Sequence, residues 1–150
     1  MAVDITLKQR ILEAIPQKPP FRFIDDILEI SDDFIVGKYT YKKDEFFYKG
    51  HFPEKPITPG VIILETMAQT GVVAHGIYLE LKNNQPIDKT TLFTEAQVEF
   101  LNVVLPEETV YIKGELIYYR KSKIKSKVEV KKEDGTMVAI GELAGVGVVK

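Results

Sequence analysis

The chain has no cysteine and only two histidines among its 150 residues. The first absence excludes disulfides and thiolate metal sites, and the second leaves too few imidazoles for a protein-only zinc site, so no metal is expected. A charge of one sign is lacking too. With 20 Lys and Arg against 22 Asp and Glu, the net charge of −2 makes no case for nucleic acid or a membrane surface as partner. No charged start leads into a long apolar run, so a signal peptide is not expected and the expected location is the cytoplasm. What is present, 45% hydrophobic and 28% charged residues, fits one globular domain over residues 1–150 with a real core.

Proline is concentrated in one place. Pro53, Pro56 and Pro59 fall within seven residues, and because each fixes φ and lacks an N–H, neither a regular helix nor a central strand fits that loop. After Gly60 about 24 residues run without proline as far as Asn83 and Asn84, which predicts a helix. Apolar residues surround its first five turns, so it has no polar face wide enough for water and must be buried. Glu65, Gln69 and His75 interrupt it and make it a poor membrane span.

Glu65 is the unusual residue of this helix. A carboxyl among Ile63, Leu64 and Met67 is costly to bury ionised, so it is paired, hydrogen-bonded or kept as the neutral acid by a raised pKa. Gln69 follows four residues on, where its side chain can orient the carboxyl. At the helix start the N–H groups of Gly60 and Val61 have no intrahelical acceptor and point toward the loop that carries His51. The stretch therefore supplies a candidate base (His51), a candidate acid (Glu65) and a candidate oxyanion site (Gly60 and Val61). Taken singly, His51 also fits a surface residue and Glu65 a structural hydrogen-bond partner. His75 lies about 280° around the helix from Glu65 and is expected to be structural or at the surface.

The flanking segments predict the rest of an α+β domain. Residues 4–15 have helical spacing, with Asp4 or Thr6 as caps and Pro16 as the stop. Residues 21–30 and 34–43 read as a hairpin across Ser31, Asp32 and Asp33. Phe46, Phe47 and Tyr48 either wall a tunnel or belong to the core. Strand character returns over 91–105, and a turn follows at Pro106, Glu107 and Glu108. Three antiparallel runs then form a meander, the last two joined by a turn at Asp134-Gly135. Two early strands, one apolar helix and four later strands predict a sheet wrapped around the helix. Arg120, Lys121, Lys123, Lys125 and Lys127 form a basic run at a strand turn that either steers an acidic partner or protects a solvated hairpin edge.

The continuous run GHFPEKPITPGVIILETMAQ, residues 50–69, closely resembles the signature of the hot-dog-fold 3-hydroxyacyl-(acyl carrier protein) dehydratases. Glu65 resembles the Z-type, whose acid is glutamate. The resemblance implies the hot-dog fold, an antiparallel sheet around one long central helix. It also implies a homodimer, or a higher assembly of dimers, whose site pairs His51 of one subunit with Glu65 of the other. In such a site Gly60 and Val61 hold the thioester carbonyl, His51 takes the C2 proton, and Glu65 protonates the leaving C3 hydroxyl. No cofactor is needed, and the partner is an acyl carrier protein with a pantetheine-linked substrate. The arginines with which the family meets its acidic carrier are missing: Asp25-Asp26 and Glu99-Phe100-Leu101 stand in their places, and Glu54 replaces a glycine. Arg120, Lys121 and Lys123 are the expected substitutes, and the departures suggest a different carrier or a specialised lipid or polyene pathway. The competing expectations are a hot-dog acyl thioesterase and a non-catalytic dehydratase-like subunit.

Overall fold

Asp4 opens the structure, a computed structural model that describes residues 4–149, by capping the first helix, α1 (Ile5–Ala14), through a 3.0 Å bond from the Leu7 N–H. Ile11 and Ile15 pack beneath it against Ile24, Ile27 and Ile77. Strands β1 (Asp26–Ile30) and β2 (Phe34–Thr40) form the first hairpin. Ser31 Oγ closes its turn by accepting the N–H groups of Asp33 and Phe34. The long helix α2 spans Gly60–Lys82. Strands β3 (Lys89–Phe100), β4 (Thr109–Arg120), β5 (Lys123–Lys132) and β6 (Met137–Val149) complete the fold.

All neighbouring strands are antiparallel in the order β1-β2-β4-β5-β6-β3. The apolar face of this sheet closes on α2 around Met67, Val72, Ile112, Val128 and Leu143. By length and composition α2 could cross a bilayer, yet 72% of its apolar window is buried inside the fold, as a core helix requires. The helix and sheet approach very closely. A Cβ added at Gly71 would lie 2.7 Å from Val128 Cγ2, and one at Gly114 would lie 2.9 Å from the Gly71 Cα. The meander of β4, β5 and β6 and the positive φ of Gly135 (+89°) agree with the sequence reading.

Four details differ from that reading. First, residues 21–25 are not part of β1, because the Phe21 C=O and Phe23 N–H are bound by a side-chain amide, that of Gln69, instead of a neighbouring strand. Second, α2 is not uniform. It is α-helical over Gly60–Ala68, π-helical over Gln69–Ala74 and α-helical again over His75–Lys82, so angles counted at 3.6 residues per turn fail beyond Gln69. Third, β3 ends at Phe100, and both Leu101 and Asn102 then donate to Val138 O, which turns the chain out of the ladder. Fourth, Phe47 and Tyr48 belong to the core, whereas Phe46 is exposed.

His75 is structural and fully buried, not at the surface. Its Nε2 lies 2.8 Å from Ser31 O; a carbonyl only accepts, so Nε2 carries the proton and Nδ1 is left as a buried lone pair without a partner. Burial holds its pKa below the ordinary imidazole value. An imidazole with a depressed folded pKa is protonated more readily in the unfolded chain, so its contribution to stability is complete above the unfolded value of about 6.5 and falls as pH drops below it. The unfolding free energy from urea titration should therefore fall by on the order of 1 kcal/mol between about pH 7.5 and pH 5.5. His75→Gln keeps a donor for Ser31 O and should flatten this dependence. An equal slope in the variant would exclude His75 as its source.

Candidate active site

The loop that presents His51 is fixed by its own backbone. The His51 N–H donates to Phe47 O at 3.1 Å, and the Ile57 N–H donates to His51 O at 3.1 Å. His51 Nδ1 lies 3.1 Å from Ile57 O, so Nδ1 carries the proton and Nε2 presents a free lone pair. Thr58 anchors the far side of the loop through its N–H to Val104 O and its Oγ1 to the Tyr48 hydroxyl, each in a buried setting. The prolines restrict the loop and these bonds select its shape. The result is a partly exposed imidazole whose Nε2 is engaged by no hydrogen bond among the described residues.

Pro59 then caps α2 without a side chain. Its carbonyl accepts both Ile62 N–H (2.9 Å) and Ile63 N–H (3.1 Å), and the Gly60 and Val61 N–H groups have no acceptor among the described residues. These two donors form a positive end to the helix dipole. Phe100 lies against Gly60, its ring 3.4 Å from where a Cβ would stand, so β3 and the start of α2 share a surface.

One turn further along, Glu65 is held by Gln69, whose Nε2 donates to Glu65 Oε2 at 2.8 Å. Gln69 is fully buried, and its orientation is fixed from behind: Oε1 accepts the Phe23 N–H at 2.6 Å and Nε2 donates to Phe21 O at 3.0 Å. A flipped amide would face donor to donor and acceptor to acceptor. Glu65 Oε2 is thus committed as an acceptor, and a proton on this carboxyl sits on Oε1. Burial raises the Glu65 pKa above the usual carboxylate range, partly opposed by the Gln69 bond. The carboxyl faces a cavity of about 50 Å³ together with Gln17, Val72, Thr91, Phe93 and Gly145.

Glu65, Gln69, Gly60 and Val61 are therefore brought onto one stretch of helix, as the sequence predicts. His51 is not among the residues lining the Glu65 cavity. The basic run is arranged differently from the sequence expectation. Arg120 and Lys121 sit exposed at the β4–β5 turn, with Arg120 over the Tyr118 ring at 4.9 Å. Lys123 approaches Glu95 at 3.9 Å, and Lys125 approaches Glu95 and Glu142 at 3.5 and 3.7 Å, so acids of β3 and β6 answer the middle of the run. Among the described residues no group of three or more acidic, His or Cys side chains could hold a metal ion.

The sheet around a central helix, with a half-buried, amide-held carboxyl, defines a hot-dog protein, a fold shared by dehydratases and thioesterases. Among solved structures, the dehydratase heterocomplex ApeI:P from Xenorhabdus doucetiae matches with a TM-score of 0.80 at 15% identity, covering 93% of this chain and 91% of that one. The smu.793 protein of Streptococcus mutans, bound to acetyl CoA, matches at 0.64 and 12%, covering 90% and 96%. At these identities the likeness is one of fold. In sequence, the FabA-like domain family matches residues 15–142. A 3-hydroxyacyl-(acyl-carrier-protein) dehydratase FabZ from Caldicellulosiruptor bescii is 39% identical over 139 residues, covering 89% of this chain and 93% of that protein. A FabZ from Streptococcus mutans is 34% identical over 144 residues, covering 94% and 95%. The chain belongs to the FabA-like family.

Replacing Gln69 by Leu strands the Phe21 and Phe23 backbone groups and frees Glu65. We expect a loss of about 2–3 kcal/mol in urea unfolding, with the Glu65 carboxyl titrating at still higher pH by carbon-detected NMR, because the bond that lowers its pKa is gone. An unchanged Glu65 titration would show that Gln69 does not control the acid.

Proposed function

We propose that the protein dehydrates 3-hydroxyacyl thioesters carried on acyl carrier protein, giving trans-2-enoyl thioesters for fatty acid or related lipid synthesis, in the cytoplasm and without a cofactor. The observation that carries this reading is the Glu65–Gln69 pair: a carboxyl whose pKa burial raises, held by Gln69 at Oε2 so that Oε1 is the oxygen free to carry a proton. The relatives named for this reaction support it across nearly their whole length.

Each group then has one task. The thioester oxygen accepts the free Gly60 and Val61 N–H groups, which stabilise the enolate-like charge that grows as C2 loses its proton. His51 Nε2 takes that proton. Glu65 Oε1 gives its proton to the departing C3 hydroxyl, so the C3–O bond breaks, water leaves, and the C2–H electron pair becomes the double bond. Glu65 is then a carboxylate and His51 an imidazolium, and proton exchange with solvent restores both.

The two halves of this chemistry meet in a homodimer, with His51 of one subunit against Glu65 of the other. Several features favour that arrangement. The twelve-residue strand β3 ends the sheet with one edge unpaired, and it and its neighbourhood expose Leu92, Phe93, Phe100, Leu101 and Val61. A long apolar edge of this kind is a template for a second strand. Arg120 and Lys121, with a partial contribution from Lys123, are the cations proposed to steer an acidic carrier to the site.

Hydration of a crotonyl thioester, followed by loss of enoyl absorbance, tests the reaction. His51→Ala and Glu65→Gln should each lower turnover by about 10² to 10⁴ without changing the dimer in sedimentation. Unfolding and refolding the two inactive variants together should restore about a quarter of wild-type activity, since half the dimers are mixed and each mixed dimer has one intact site of two. No recovery would place both residues' work within a single chain. Reversal of Arg120 and Lys121 to Glu should raise KM for the carrier-bound substrate about tenfold at low salt and leave a pantetheine substrate unchanged. Equal effects on both substrates would remove the carrier role.

A further inference from the structure

One polar side chain beside Glu65 is left without a partner. Gln17 lines the same cavity as Glu65, and its Oε1 is buried with no hydrogen bond among the described residues. An unmade bond to a buried acceptor is destabilising, so in a folded protein such a group marks a place where water or a ligand supplies the donor. Apart from the Thr91 hydroxyl, which makes no bond to Gln17, the other side chains around the cavity are apolar: Ala68, Val72, Val73 and Phe93.

The backbone that carries Gln17 is firmly placed. Gln17 follows Ile15, which is fully buried at the end of α1. Two bonds then shape the connection to β1: Arg22 Nη2 donates to Leu12 O at 2.7 Å, and the Phe21 N–H donates to Lys18 O at 2.8 Å. Next to them the Phe21 C=O is bound by Gln69, the residue that also holds Glu65. One amide therefore ties the segment of Gln17 to the carboxyl that shares its cavity.

That cavity is small. A water-sized group needs about 10–15 Å³, so its volume of about 50 Å³ takes a few such groups. Gln69 commits Glu65 Oε2 and leaves Oε1 to the cavity, while Gln17 Oε1 is committed to nothing. A hydroxyl can serve both, accepting the proton of one and donating its hydrogen to the other. A methylene serves neither.

We propose that, given the dehydratase reading above, Gln17 is the second contact of the leaving hydroxyl, accepting a hydrogen bond from it at Oε1 while Glu65 protonates it. The hydroxyl oxygen takes the Glu65 proton and the electron pair of the breaking C3–O bond, and it leaves as water. Of that water's two hydrogens, the original one is still donated to Gln17 Oε1 and the new one faces the Glu65 carboxylate. In the reverse direction the same two oxygens orient water for addition at C3. Gln17 thereby selects a 3-hydroxyacyl group over its 3-deoxy counterpart. Because acid, acceptor and thioester site fix three directions around C3, it also selects one configuration of the alcohol.

The test reads affinity apart from turnover. Butyryl-pantetheine and each enantiomer of 3-hydroxybutyryl-pantetheine are titrated by calorimetry into the His51→Ala protein, in which none of them reacts. One hydroxy enantiomer should bind about tenfold more tightly than the butyryl thioester. Adding Gln17→Met, which keeps the reach of the side chain and removes the acceptor, should bring the two within about twofold and leave the butyryl affinity unchanged. Gln17→Glu keeps an acceptor and should retain the preference. With His51 intact, Gln17→Met should slow crotonyl hydration about tenfold while the melting temperature stays equal to or above that of wild type, since a stranded buried acceptor is gone. Equal binding of all three ligands before Gln17 is changed, or a preference that survives Gln17→Met, would overturn the proposal. Uniform weakening with a lower melting temperature would overturn it too and make Gln17 a packing residue. Absence of crotonyl hydration by wild type would remove the dehydratase reading itself, whereas an unchanged preference in a protein that does hydrate would remove only the role of Gln17.

Discussion

The side-chain amide of Gln69 is the constraint on which most of this structure depends. It is fully buried and joins three parts of the chain: the extended segment at Phe21 and Phe23, the central helix, and the acid Glu65. A buried amide cannot leave these bonds unmade without a penalty of about 1–3 kcal/mol per stranded group. Its partners therefore hold one another in place. The same bonds that end β1 early also decide which oxygen of Glu65 is free to carry a proton, so a packing requirement and a requirement of the proposed chemistry have one solution.

The helix that carries this amide must lie unusually close to the sheet. Gly71 against Val128, and Gly114 against the Gly71 Cα, remove the side chains that would otherwise hold it away. The turn widens into π geometry over Gln69–Ala74, at the point of closest approach. A widened turn changes which residues follow on each face. His75 thereby meets the β1–β2 turn at Ser31, while Val72, Gly76 and Glu80 border a small void with Lys89, Thr91 and Tyr119. The glycines of β6, Gly145 and Gly147, let Thr91, Val72 and Lys89 pack directly onto the strand backbone.

Local signals in the sequence carried a large part of this. The three prolines, the apolar run after Gly60 and the lone carboxyl within it mark the loop, the helix and the acid, and the four-residue interval to Gln69 predicts the bond that is found. The resemblance of residues 50–69 supplied the roles, which the residues alone left open. What local reading missed depends on contacts between distant positions. Lys125 looks free in a basic run, and only the register of β5 with β6, and of β6 with β3, sets Glu142 and Glu95 beside it. Residues 21–25 have the composition of a strand, and a side chain 46 positions away from Phe23 takes the bond a neighbouring strand would have made. Gly145 and Gly147 read as strand irregularities until Val72 and Lys89 are seen against them.

The division of the proposed site between subunits has a physical consequence. His51 is oriented by Phe47 and Ile57 of its own chain, and Glu65 by Gln69 of its own chain. Neither half waits for a partner to acquire its geometry, so little ordering of either group has to accompany association. The unpaired β3 edge and the exposed residues around it need only bring two finished halves together. In that arrangement the acid and the base are matched by the rigidity of each subunit, and the apolar edge sets the distance between them. Chemistry at the proposed interface can then tolerate the change at Asp25-Asp26 and Glu99-Phe100-Leu101, because no side chain there orients His51 or Glu65.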